Sequence, residues 1–124
     1  MTKSAHREYL MEYSGSALPD FTDVLDWESE SSGKDTTYFF SLNKTEIGTV
    51  STFTEKHSIT IYGVFLDEEY RGKGLGKAMM CEVMLDIIPL GLSIRLQVSE
   101  LNKPALSLYT ECGFKIIDQA DITD

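Results

Sequence analysis

Nowhere in the chain does an apolar run approach the roughly 18 residues that a membrane span needs. The N-terminus also lacks the apolar core of a secretion signal. These two absences lead us to expect a soluble, cytoplasmic protein with no membrane partner. Cysteine is scarce: Cys81 and Cys112 form no metal-ligand spacing, so no metal is expected. They read instead as small buried hydrophobes kept reduced. His6 and His57 are isolated and receive no role. Positive charge is in the minority, with 11 Lys and Arg against 20 Asp and Glu and a net charge of -9. That balance argues against nucleic acid or an anionic membrane as a partner. It is compatible with a cationic substrate, although acidic proteins carry most such charge only as solvation. No internal repeat and no composition break is visible, so residues 1–124 read as one domain, monomeric or homodimeric, with a modest core.

What is present is organised around Ile59 to Met80. Ile59, Ile61, Gly63 and Phe65 alternate with Thr60, Tyr62, Val64 and Leu66, and both series are largely apolar. This suits a strand covered on both faces. A glycine-rich turn follows, and then Leu75, Met79, Met80, Val83, Met84 and Ile87 recur at helical spacing until Pro89 and Gly91 stop the helix.

Upstream, residues 1–13 read as a polar start and a short strand with Tyr9, Met11 and Tyr13 on one face. From Pro19 to about Glu28 the spacing of Phe21, Val24 and Leu25 predicts a helix, with Asp20, Asp23 and Asp26 gathered on its other side. That acidic side is either solvation or a wall that attracts an amine. Ser29 to Asp35 reads as a polar loop. Thr37–Leu42 and Ile47–Thr54 are predicted strands with short polar turns, giving an antiparallel meander with the organising strand. Downstream, Ile94–Ser99 is predicted as a strand and a parallel neighbour across the helical crossover. A short helix over Pro104–Cys112 follows, with Asn102 as N-cap and Gly113 as its stop. A last strand begins at Phe114. The fold class is α/β, a mixed sheet with helices.

The turn Arg71-Gly72-Lys73-Gly74-Leu75-Gly76 carries the chemistry. Its glycines let a ligand approach backbone amides at the start of a helix, where unpaired N–H groups and the dipole favour an anion. Arg71, Lys73 and Lys77 add local positive charge to an acidic chain. A phosphate-bearing ligand is the simple reading; a plain strand–helix connection is the bland one. The dinucleotide fingerprint fails, because counting from Gly72 the sixth position is Lys77. The nucleotide-triphosphate loop fails too, because Arg71 and Ala78 occupy required places.

What remains, Arg-x-x-Gly-x-Gly after Val64-Phe65-Leu66, resembles the acetyl-CoA-binding core of the GCN5-related N-acetyltransferases. A second stretch, Asn102-Lys103-Pro104-Ala105-Leu106-Ser107-Leu108-Tyr109-Thr110-Glu111-Cys112-Gly113-Phe114, resembles that family's Asn-x-x-Ala-x-x-Leu-Tyr-x-x-x-Gly-Phe pattern. The resemblance covers roughly Thr37 to Ile117. It implies a sheet that splays between the organising strand and its parallel neighbour, with the pantetheine arm of acetyl-CoA in the gap. Val64, Phe65 and Leu66 would meet the arm, and the Val64 amide would polarise the acetyl carbonyl. The amides of Arg71, Gly72, Lys73, Gly74, Leu75, Gly76 and Lys77 would hold the pyrophosphate. Asn102 would contact the arm, and Tyr109 would point its hydroxyl at the thioester sulfur. The implied reaction is attack of a primary amine of a small molecule or peptide on acetyl-CoA. The sequence departs from many relatives in having no Glu or Asp within Ile59–Leu66, where Thr60 and Tyr62 hold the inward positions. Glu100, the early aspartates or a water relay are the alternatives for taking the amine proton. The N-terminal half is also shorter than usual for the family. A catalytically silent acetyl-CoA-binding module that regulates a partner protein therefore stands as the second reading.

Overall fold

The computed structural model describes residues 5–123. Their elements run β1 (Ala5–Tyr13), β2 (Asp26–Ser32), β3 (Asp35–Leu42), β4 (Thr45–Thr54), β5 (Ser58–Leu66), α1 (Leu75–Ile87), β6 (Ser93–Ser99), α2 (Lys103–Glu111) and β7 (Phe114–Thr123). The strands form one seven-stranded sheet in the order β2-β3-β4-β5-β6-β1-β7. Every neighbouring pair is antiparallel except β5 and β6, which run parallel across the α1 crossover. The expected meander is β3-β4-β5. Its first turn is the pair Asn43-Lys44, both with positive φ (50° and 69°), the backbone that a two-residue hairpin favours. The polar start at 1–4 lies outside the described residues. The strand expected after it is β1, which sits between β6 and β7 with Met11 buried and Tyr9 and Tyr13 packed on the core.

Two expectations in the N-terminal third are corrected. No helix forms from Pro19 to Glu28; the chain runs without regular structure to Leu25 and then enters β2. So short a segment is marginal as a helix, and here Leu18, Phe21 and Leu25 lie against the core without one. Ser29 to Asp35 is no loop either: Asp26–Ser32 is an edge strand paired from Asp26↔Ser41 to Ser32↔Asp35, and the turn is Gly33-Lys34 with Gly33 at φ 62°. An edge strand with one wet face needs few apolar residues, so its Asp, Glu and Ser read as loop in sequence.

Both helices lie on one face of the sheet. Tyr38, Phe40, Val50, Ile59, Ile61, Ile94 and Leu96 are buried there together with the predicted α1 positions Leu75, Met79, Met80, Val83, Met84 and Ile87. Each such side chain contributes about 1.5–3 kcal/mol on burial. Two polar bonds fix α1 over this layer: the Trp27 indole donates to Glu82, and the Tyr38 hydroxyl donates to Asp86. Burial and that carboxylate both hold the Tyr38 phenol well above its ordinary pKa.

The other face has no helix among the described residues. Register places Glu28, Phe39, Thr49 and Phe65 in one row across it, and Glu30, Thr37, Ser51 and Tyr62 in the next. Tyr62 and Phe65 remain 43% and 52% exposed. The expectation that β5 is covered on both faces is therefore corrected, as is the inward placement of Thr60 and Tyr62, which lie on this open face. The near-continuous apolar run has a different cause, a bulge within the strand.

Candidate functional site

That bulge shapes the site. Ser51 pairs with Tyr62 and Thr49 with Phe65, so β5 carries an extra residue at Gly63-Val64, and Gly63 adopts φ 59°. The extra residue shifts the alternation by one. Val64 and Leu66 then continue toward the core, as Ile59 and Ile61 did before it, and Phe65 turns out. A bulge also sharpens local twist. β6 pairs with β5 only from Ser58↔Ser93 to Ile61↔Leu96, yet it stays with β1 as far as Glu8↔Ser99. From Tyr62 onward β5 has lost its neighbour on that side, and the sheet opens as a wedge. On its other side β4 backs it closely. A Cβ on Gly48 would lie 2.5 Å from the Phe65 carbonyl oxygen and 2.9 Å from the Met79 sulfur, so only glycine fits there.

The turn after β5 ends in Gly74 at φ 80°, which caps α1 without a side chain. The first backbone bond into the helix is Ala78 N–H to Gly74 C=O. The amides of Leu75, Gly76 and Lys77 thus begin the helix without an intrahelical acceptor, as at any helix start. Gly72 likewise has φ 77°, and space around both glycines is open; Gly76 instead faces Leu108 of α2, which a Cβ would meet at 3.6 Å.

Wedge and turn open into one cleft of about 620 Å³. Val64, Phe65, Leu66, Arg71, Gly72, Gly74, Gly76, Lys77, Asn102 and Tyr109 line it, while Lys73 and Leu75 do not. Leu75 is buried in the core, and the Lys73 ammonium lies over the Tyr70 ring, 5.8 Å from its centroid. The other two cations of the turn are also engaged. Arg71 Nε donates to the Leu66 carbonyl at 2.8 Å, and Lys77 Nζ is 3.0 Å from Glu111 Oε1. The bond to Glu111 raises the Lys77 pKa, so the ammonium persists. An anion entering the cleft meets open amides and cations already partnered.

Asn102 does what its sequence position predicts as a cap, its Oδ1 accepting from the Ala105 amide at 3.3 Å. Two turns on, Tyr109 is 7% exposed, with its ring edge-on to Phe114 at 6.4 Å. Burial, and next the nearby Cys112, raise its pKa, so the phenol stays protonated through neutral and mildly alkaline pH. Its hydroxyl makes no hydrogen bond among the described residues, and the residue faces the cleft. Cys81 and Cys112 are buried, with burial pushing the Cys112 thiol up to about 12.

None of the carboxylates considered as a proton acceptor lines the cleft. Glu100 accepts from the Arg7 amide at 3.0 Å and lies near the Tyr9 hydroxyl at 3.4 Å, which ties it to β1. Asp20 and Asp23 are exposed, and Asp26 begins β2, which β3 and β4 separate from β5. Sequence reasoning missed Glu111, the one carboxylate among the described residues that does line the cleft. It also missed Asp35, whose carboxylate accepts a hydrogen bond from Tyr62. Neither had a signal in spacing, because both depend on which elements come together.

Comparisons with known proteins point one way. The family profile described as "Acetyltransferase (GNAT) family" matches residues 2–114. A relative from Salmonella typhimurium, the peptidyl-lysine N-acetyltransferase YjaB, is 33% identical over 61 residues, which is 49% of this chain and 39% of that protein. An acetyltransferase from the GNAT family of Colwellia psychrerythraea superposes with a TM-score of 0.77 at 9% identity, over 99% of this chain and 56% of that one. A GNAT family acetyltransferase from Elizabethkingia anophelis, solved with acetyl-CoA bound, gives a TM-score of 0.71 at 16% identity, over 78% of this chain and 80% of that one.

Proposed function

The chain belongs to the GNAT acetyltransferase family, and from that premise we propose that residues 1–124 form one acetyltransferase domain moving an acetyl group from acetyl-CoA to a primary amine. The observation that carries this reading is the wedge between β5 and β6, which ends on the open amides of α1. An unpaired strand edge can bond the amide groups of a pantetheine arm as another strand would. A helix start can take a pyrophosphate. The cleft of about 620 Å³ joins the two. No residue in the reading calls for a metal.

In this reading the amine nitrogen attacks the thioester carbonyl carbon. A C–N bond forms, the C–S bond breaks, and the sulfur leaves as thiolate. The Val64 amide stabilises the oxyanion. Tyr109, kept protonated by burial, donates to the developing thiolate. The amine must lose a proton, since amines near pKa 10 are mostly charged at neutral pH. With Glu111 held by Lys77, water in the open cleft is the acceptor we assign. The Salmonella relative acts, by its name, on peptidyl lysine, so that amine heads the acceptors to try.

The missing strand carboxylate keeps the silent acetyl-CoA-binding module as a second reading. A thiol-release screen with acetyl-CoA across polyamines, small amines, aminoglycosides and lysyl peptides separates the two. Turnover with any of them supports the transferase. Tight acetyl-CoA binding with no turnover supports the binder, and no binding at all defeats both.

A further inference from the structure

The helix-free face of the sheet has a composition that folding alone does not explain. Two rows that cross β2 to β5 each begin on a carboxylate, Glu28 or Glu30, and end on a half-exposed aromatic of β5, Phe65 or Tyr62. The Tyr62 hydroxyl reaches Asp35 on β3 as a hydrogen-bond donor. Beneath it Thr37 Oγ1 and Ser51 Oγ lie 3.0 Å apart and bond, which satisfies the polar floor. The ring is thereby held across β4. The same face already seats one cation on an aromatic, with Lys34 Nζ 5.9 Å from the Phe53 centroid.

We propose that this face is the acceptor platform, and that its occupant is a lysine-bearing basic segment of another protein. The proposal rests on the transferase reading above and deepens it. Three arguments select this occupant. The first is charge: on β2 to β5 the outward register positions carry Asp26, Glu28, Glu30, Asp35 and Glu46, against Lys34 and Lys44 in the turns at its ends, so the surface is net acidic and complements a basic chain. The second is shape. Small molecules favour concave sites, but this face is a broad sheet surface whose exposed rings suit an extended segment. The third is position. Phe65 lies between Val64 and Leu66, so a lysine passing over its ring enters the wedge beside the proposed oxyanion donor.

The carboxylates sit where they help binding without hindering chemistry. A carboxylate beside the reacting nitrogen would favour its charged form. With strands about 4.8 Å apart, Glu28 and Glu30 stand three strands from β5 and would hold flanking basic residues. Asp35 is tied up by Tyr62 and acts as a positioning residue, tethering that ring by its hydroxyl across β4.

The test uses a fluorescein-labelled peptide, Ala-Arg-Ala-Lys-Ala-Arg-Ala, and anisotropy of the full chain loaded with CoA. This binding readout does not depend on turnover, so its failure and failure of the transferase reading are distinguishable. The wild type should bind, and Glu28→Gln/Glu30→Gln should weaken binding about ten-fold or more at low salt, with the difference shrinking as salt rises. Tyr62→Ala should also weaken it, whereas Tyr62→Phe, which keeps the ring but loses the bond to Asp35, should fall between Tyr62→Ala and wild type. If the screen gives turnover, the peptide KM should rise in the double variant while acetyl-CoA affinity holds. Equal binding by wild type and double variant, or no binding by wild type, overturns the proposal. So does sedimentation showing a dimer that Tyr62→Ala dissociates, because a second copy then covers the face. Spermidine displacing the peptide at equal concentration would assign the face to small polycations and overturn the choice of a protein segment.

Discussion

The two faces of this sheet are built by opposite rules. The covered face carries Tyr38, Phe40, Val50, Ile59 and Ile61 under α1 and meets the cleft through Val64 and Leu66. The open face carries Phe39, Tyr62 and Phe65 among carboxylates and hydroxyls. One residue's difference in register separates Phe39 from Phe40, yet Phe40 is fully buried and Phe39 is not. The lesson is that aromatic content alone does not mark core. Large rings held at the water boundary contribute less to stability than rings in the core. Under the proposals above, the covered face serves cofactor and folding, and the open face serves the acceptor.

The largest expected difference between the faces is in stability. Phe40→Ala should cost about 3–5 kcal/mol, as for other buried aromatics. Phe39→Ala, its partly buried neighbour on the open side, should cost about half as much or less, roughly 1–2 kcal/mol. Urea unfolding measures both. Equal costs would mean that the open face is covered in solution, and the comparison would break.

Next comes chemistry on the covered side. Tyr109→Phe keeps the ring against Phe114 and removes only the hydroxyl. Its kcat should fall about 100-fold, near the lower end for general-acid roles, while acetyl-CoA affinity changes little. With the Tyr109 pKa raised above its usual value of 10.0, no loss of rate from its ionisation should appear below pH 10. The rate should instead climb toward that pH as the amine deprotonates. A wild-type kcat in the variant removes Tyr109 from the mechanism.

Gly74→Ala forces a side chain into φ 80° and should cost about 1–2 kcal/mol in folding. It should also weaken acetyl-CoA binding about ten-fold, a change of about 1.4 kcal/mol. Gly33→Ala in the β2–β3 turn, at φ 62°, is the control with similar strain and no cleft. Calorimetry on the two variants separates ligand effects from backbone strain. Matching affinities in both would sink the anion-site assignment. The smallest effect should come from Glu111→Gln, which frees Lys77. Acetyl-CoA should bind a few-fold tighter at low salt, and the gain should vanish at high salt. An unchanged low-salt affinity would show that this pair does not compete with the ligand.

How much of this was legible in the sequence follows the same division. α1 could be read because Leu75, Met79, Val83 and Ile87 repeat with the helix period against a buried layer. Asn102 and Gly113 marked the bounds of α2 through cap chemistry, which is local. The glycine turn pointed to the cleft for the same reason. β2 was misread because an edge strand facing water needs no apolar alternation, and Asp-Glu-Ser then looks like loop. The bulge at Gly63 hid in a run where both alternating series are apolar. Asp35 and Glu111 were invisible because their partners, Tyr62 and Lys77, come from distant segments.

The most direct test of the two-face account is an amide NMR titration of the full chain with desulfo-CoA. The account predicts shifts at Val64, Leu66, Gly74, Leu75, Gly76 and Lys77, with Thr37 and Phe39 on the open face unmoved. Shifts confined to β2 and β3, with the turn before α1 silent, would contradict it.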